Sequence, residues 1–139
     1  MLLLVSCLLV HAVLAALLPS PWWVPDVTLA GLIVAIGRSP HRWIGLSGVA
    51  GLLTVVWAVR FPQLILVGSL ILGWIVQALA KQWDVTDFRL QCVMVAIASC
   101  LTTFGWLWLE DLWSIRLIGA ALAHVLVTSL SVPLIRRSA

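Results

Sequence analysis

Charged residues are scarce in this 139-residue chain, which has five acidic and eight basic side chains. Soluble globular domains are about 25% charged and about 45–50% apolar, whereas this chain is 9% charged and 63% hydrophobic. A soluble domain is therefore excluded. The acidic residues all lie in connections between apolar runs, so we expect no carboxylate within the membrane and no ion-coupled transport.

Catalytic and metal-binding signatures are also lacking. The three cysteines Cys7, Cys92 and Cys100 lie in apolar runs without the C-x-x-C spacing of redox or zinc sites. No glycine-rich phosphate loop, nucleophile elbow or H-E-x-x-H pattern occurs. The basic residues are scattered singly and make no patch for nucleic acid. We therefore predict no enzymatic activity, no cofactor and no metal site.

What the sequence does contain is a series of apolar segments. A bilayer core of about 30 Å takes about 20 helical residues to cross, and uninterrupted apolar runs are typical of membrane helices rather than barrel strands. We predict an all-α polytopic membrane protein, in which residues 1–139 form one bundle of about six transmembrane helices with short loops. The predicted segments are 1–18, 27–37, 43–59, 63–80, 90–109 and 117–135.

Two segments are open to more than one interpretation. The first resembles a signal peptide, but no Lys or Arg precedes its apolar core, so we interpret it as the first span. The second is too short for an ordinary span unless it begins earlier, at Pro25 or Trp22. It is interpreted as a span, with a re-entrant or strongly mismatched helix as the alternative.

The distribution of basic residues predicts orientation. With six spans, one side receives six of the eight Lys and Arg residues and the other receives Arg60 and Arg116. The positive-inside rule then places the C-terminus in the cytoplasm, whereas the side of the N-terminus depends on whether the second segment crosses. The six are Arg38, Arg42, Lys81, Arg89, Arg136 and Arg137.

Small and polar residues recur at helical spacing and mark candidate helix-contact faces. Such residues allow membrane helices to approach closely, within one chain or between chains. We expect these faces to pack the helices of the bundle against each other. The alternative is that some of them line a ligand cavity or bind a helix of a partner protein. The candidates are Ser47, Gly48 and Gly51 in the third segment, Ser69, Gly73 and Gln77 in the fourth, and His124 and Thr128 in the sixth. His11 and His124 could also meet across the first and sixth helices and relay a proton.

The most specific local feature is Pro25-Asp26 at the start of the second segment, where proline suits the first helical turn and the carboxylate suits the helix dipole. A basic loop containing Pro40, the glycine-rich third helix and a last helix ending near residues 128–134 follow. Together these features resemble the MreD family of bacterial rod-shape determination proteins. The family commonly has an aspartate after the third-helix glycines, and residues 54–56 here have none.

The resemblance implies a non-catalytic scaffold of the machinery that builds lateral cell wall in the bacterial inner membrane. Its implied partner is an MreC-like single-span protein, and through it RodA, a penicillin-binding transpeptidase and MreB filaments. MreD proteins are also similar in architecture to the substrate-binding S subunits of energy-coupling-factor vitamin transporters. That similarity gives the alternative function. Its candidate ligand contacts on the outer face are Trp22, Trp23, Asp26, Glu110, Asp111 and Trp113.

Overall fold

The computed structural model describes residues 2–19, 24–55, 62–111 and 114–138. It confirms the predicted all-α fold, since the described residues form six α-helices and one short 3-10 turn, Pro40–Arg42. The helices are α1 Leu2–Leu17, α2 Val27–Arg38, α3 Trp43–Val55, α4 Pro62–Leu79, α5 Phe88–Leu109 and α6 Ile115–Ser138. The helix ends lie within about three residues of the predicted segments, as is usual for assigned boundaries. The predicted end of the third segment lies outside the described residues.

The protein is membrane-embedded. Helices α4, α5 and α6 are long and apolar enough to cross a bilayer, and α1 and α2 are shorter apolar helices. Large apolar side chains are exposed along the outside of the bundle, including Leu101, Leu126 and Leu130. Exposed apolar surface of this extent is costly in water but suits contact with lipid tails.

Helix α2 is the core of the bundle. Ten of its twelve residues are buried, and it contacts all five other helices. A helix that is apolar on every side must be enclosed, and Thr28 is the only polar side chain of α2 before Arg38. The approach of α1 is close, because a Cβ atom at Gly31 would lie 2.7 Å from Cys7 Sγ.

Two helical pairs flank α2. Helix α3 packs on α4, and α5 packs on α6, and these are the two largest interfaces of the bundle. Within α6, Pro133 has no N–H for the carbonyl of Ser129 one turn earlier. The Cys92 thiol of α5 lies 4.0 Å from that carbonyl oxygen as a weak donor. The proline therefore leaves an acceptor that the neighbouring helix uses.

Candidate functional site: the Pro25–Asp26 junction

Hydrogen bonds fix the start of α2. We call residues 24–26, which precede this helix, the Pro25–Asp26 junction. Asp26 is the N-cap, and its Oδ1 accepts a hydrogen bond from the backbone N–H of Leu29 at 3.0 Å. Capping by Asp satisfies a helix N–H that has no partner within the helix, and the negative charge suits the N-terminal end of the dipole. Val24 is buried, and Pro25 and Asp26 are half-buried.

The junction also connects two helices that are distant in sequence. The His11 ring of α1 lies with Nδ1 3.0 Å from the carbonyl oxygen of Pro25, and since a carbonyl only accepts, Nδ1 carries the proton. The backbone N–H of Asp26 donates to Thr128 Oγ1 of α6 at 3.0 Å. Thr128 is fully buried. Three polar groups of the junction thus hold α1, α2 and α6 together.

Asp26 lies beside the middle of α6. Thr128 lies thirteen residues after the start of α6, which is about 20 Å along the helix. Asp26 precedes α2 in a connection, as the sequence predicts, and its contact with Thr128 places it level with the middle of α6. The reason is the length of α2, whose twelve residues extend only about 18 Å and cannot reach both surfaces.

Four buried side-chain polar atoms have no hydrogen-bond partner in the described part of the chain. They are Ser47 Oγ of α3, Gln91 Oε1 and Ser99 Oγ of α5, and His124 Nδ1 of α6. His124 lies one helical turn before Thr128. His11 and His124, which could have met across α1 and α6, share no described hydrogen bond, and His11 binds the Pro25 carbonyl.

The predicted glycine and serine faces of α3 and α4 meet each other. Ser69 Oγ donates to the carbonyl of Ser47 at 3.1 Å and also lies 2.8 Å from the carbonyl of Leu66 in its own helix. A Cβ atom at Gly51 would overlap Ser69 Oγ, and one at Gly73 would overlap Ser47 Oγ. Since the interior is close-packed at these points, these residues hold the α3–α4 pair together and leave no room for a partner helix.

The remaining candidate residues belong neither to the Pro25–Asp26 junction nor to the contact between α3 and α4. A Cβ atom at Gly48 would meet no atom within 4 Å, so this residue faces away from the bundle. Gln77 is half-buried in α4. No group of three potential metal ligands occurs among the described residues. Trp22, Trp23 and Trp113, proposed as ligand contacts on the outer face, lie outside them.

One packing residue is not indicated by any sequence motif: Gln91, which is 2% exposed at the start of α5. Its Nε2 donates to the carbonyl of Val85 at 2.9 Å, and a Cβ atom at Gly37 would lie 3.1 Å from that nitrogen. The sequence signal is a single glutamine at the start of an apolar run. In the structure it lies beside Gly37, near the end of α2. Nothing in the sequence alone pairs the two.

Comparison with known proteins gives no relative of this chain. No protein-family model matches it, and no curated protein or solved structure does so either.

Proposed function

We propose that this chain is a non-catalytic integral membrane component of the bacterial cell-shape and lateral peptidoglycan elongation complex. In this proposal it scaffolds an MreC-like single-span protein by helix docking, and through that partner it joins RodA, a penicillin-binding transpeptidase and MreB. It lies in the bacterial inner membrane with its C-terminus in the cytoplasm. The basic residues support this orientation, since the Arg38 guanidinium donates to the Arg136 carbonyl at 3.3 Å and both belong to the same end of the bundle.

The Pro25–Asp26 junction is the observation that carries the proposal. The residues on which the resemblance to MreD chiefly rests are the ones that join α1, α2 and α6. Their hydrogen bonds cap α2 and join it to α1 and α6, and they do not position a reactive group. An architectural role for these residues supports a scaffold over an enzyme.

The open face of α3 is the docking surface that this proposal uses. Gly45 and Gly48 have open space where a Cβ atom would lie, and Ile44 and Leu52 on the same face are exposed. Small residues flanked by larger apolar ones allow a second helix to approach closely within a membrane. The occupant is the single span of the MreC-like partner.

Co-isolation with matched glycine variants tests this surface. Gly48→Leu fills the open face without touching the bundle, whereas Gly68→Leu fills an equally open position on α4. Because small residues let membrane helices approach closely, we expect Gly48→Leu to weaken association with the MreC-like partner by about tenfold, which is about 1.4 kcal/mol. Gly68→Leu should retain it. Equal recovery of the partner with both variants would contradict docking on α3.

The alternative is a substrate-binding S subunit of an energy-coupling-factor vitamin transporter. The observation that favours it is the set of four buried atoms without described partners, which includes Ser99 Oγ and His124 Nδ1, because a ligand or water usually satisfies such groups. A panel of vitamins added to the purified protein tests this function. A rise in melting temperature with one vitamin supports it, and an unchanged melting temperature with all of them argues against it.

A further inference from the structure

A cleft of about 610 Å³ lies at the end of the bundle that carries Arg38 and Arg136. It is formed by the connection between α4 and α5, the first turns of α5 and the C-terminal part of α6. Its lining combines charged and apolar side chains. The lining residues are Trp83, Asp84, Thr86, Asp87, Phe88, Arg89, Leu90, Val93 and Arg136.

Opposite charges are balanced within this cleft. Two guanidinium groups, of Arg89 and Arg136, stand beside two carboxylates, of Asp84 and Asp87. The Thr86 hydroxyl and then the Thr86 backbone N–H donate hydrogen bonds that lower the pKa of Asp84, with a smaller contribution from Arg136. Asp84 is therefore ionised at neutral pH. The cleft suits a ligand with one negative and one positive group better than a ligand with net charge.

The cleft also has apolar lining residues, and through α5 it is continuous with the exposed apolar surface of the bundle. Val93 lines the cleft and is 53% exposed, and Ile97 and Leu101 continue the exposed apolar stripe of α5 at one-turn intervals. Trp83 also lines the cleft and is 61% exposed, and such an amphipathic ring suits the headgroup level. The cleft thus has the polarity of an amphiphile, with a charged head and an apolar tail.

We propose that this cleft binds a phospholipid of the surrounding leaflet whose headgroup carries a phosphate and a primary ammonium, as in phosphatidylethanolamine. The phosphate lies between Arg89 and Arg136, since guanidinium groups match phosphate geometry. The ammonium donates to Asp84 and Asp87, and an acyl chain follows Val93 and the exposed stripe of α5. This site is independent of the proposed scaffold function.

Native mass spectrometry of the purified full-length protein tests the site directly. The protein is titrated with phosphatidylethanolamine, phosphatidylcholine and phosphatidylglycerol that carry identical acyl chains. Choline has no N–H to donate, and the glycerol headgroup has no cation for the carboxylates. We expect half-saturation by phosphatidylethanolamine at about a tenfold lower concentration than by the other two, because charge-assisted hydrogen bonds are about twice as strong as neutral ones.

Salt separates this binding from general attraction to the basic end. Exposed charges are screened beyond about 8 Å at 0.15 M ionic strength, so non-specific capture of phosphatidylglycerol by exposed residues such as Arg42 and Lys81 should fade as salt rises. The preference for phosphatidylethanolamine should persist. If the wild-type protein at high salt binds phosphatidylglycerol as tightly as it binds phosphatidylethanolamine, the proposal is wrong.

Two pairs of substitutions assign the binding to the cleft. Arg89→Gln with Arg136→Gln should weaken the binding of all three lipids, since each carries the phosphate, whereas Arg137→Gln, an exposed neighbour outside the lining, should leave binding unchanged. Asp84→Asn with Asp87→Asn should shift the preference towards phosphatidylglycerol, and Asn at position 87 still caps α5. If the double glutamine variant does not insert, the asparagine pair decides. An unchanged lipid preference in the folded asparagine pair would overturn the proposal.

Discussion

Thr128→Val is the substitution that examines the Pro25–Asp26 junction most closely. Valine keeps the branched shape of threonine and removes only Oγ1, so the fully buried site stays filled while the Asp26 N–H loses its acceptor. Leaving a buried donor unpaired costs about 1–3 kcal/mol, and hydrogen bonds between membrane helices average about 0.6 and reach about 1.7 kcal/mol. We expect a loss of about 1–2 kcal/mol, which changes the ratio of folded to unfolded protein about 5- to 30-fold.

The assay is reversible unfolding by a denaturing detergent in mixed micelles, followed by far-ultraviolet circular dichroism. Thr102→Val is the matched control, because Thr102 Oγ1 bonds only to carbonyls of its own helix and the side chain is exposed. Exposed substitutions of this kind usually change stability by less than about 0.5 kcal/mol. If Thr128→Val proves as stable as Thr102→Val, the hydrogen bond to Asp26 does not hold α2 against α6.

Three further predictions concern other contacts. Gly73→Leu should unfold the α3–α4 pair because its side chain would overlap Ser47, whereas Gly68→Leu should be tolerated. Thermal melting of both variants tests this difference. Asp26→Ala should cost about 0.5–2 kcal/mol by removing the cap of α2, while Asp26→Asn in the same unfolding assay should cost much less. Removing the Thr86 hydroxyl by Thr86→Val should raise the pKa of Asp84 towards 3.8, as carboxyl carbon shifts in an NMR titration would show. Since the folded pKa is depressed, the stability that Asp84 contributes is present above pH 3.8 and lost as pH falls through the folded value. In the variant this contribution should be smaller, and its loss should be complete at a higher pH.

The helix boundaries could be predicted from the sequence because lipid imposes a simple rule. Each spanning segment must be apolar and must satisfy its own backbone groups, and prolines and charges mark its ends. Pro62 at the start of α4 and Asp87 before α5 are examples of such signals. The small-residue faces could also be predicted as contact surfaces, since Ser47, Gly51, Ser69 and Gly73 repeat at one-turn spacing.

The position of α2 could not be predicted from its length. The short apolar run suggested a mismatched span, whereas its real distinction is that nearly every side chain is apolar and buried. Enclosure removes the need to match the bilayer thickness, because the start of α2 is bound by α1 and α6. Asp26 lies beside the middle of α6 for the same reason. The partners of Asp26 are a residue 102 positions later and a neighbouring carbonyl bound by α1, and one sequence without its fold does not pair them.

The scaffold function is tested most directly by the proteins that remain bound to this chain after gentle detergent extraction from its own membrane. Mass spectrometry of the isolated complex should identify an MreC-like single-span protein, with RodA and a penicillin-binding transpeptidase in smaller amounts. Recovery of a transporter coupling subunit with its ATPases, and no MreC-like protein, would contradict the scaffold function and support ligand capture instead.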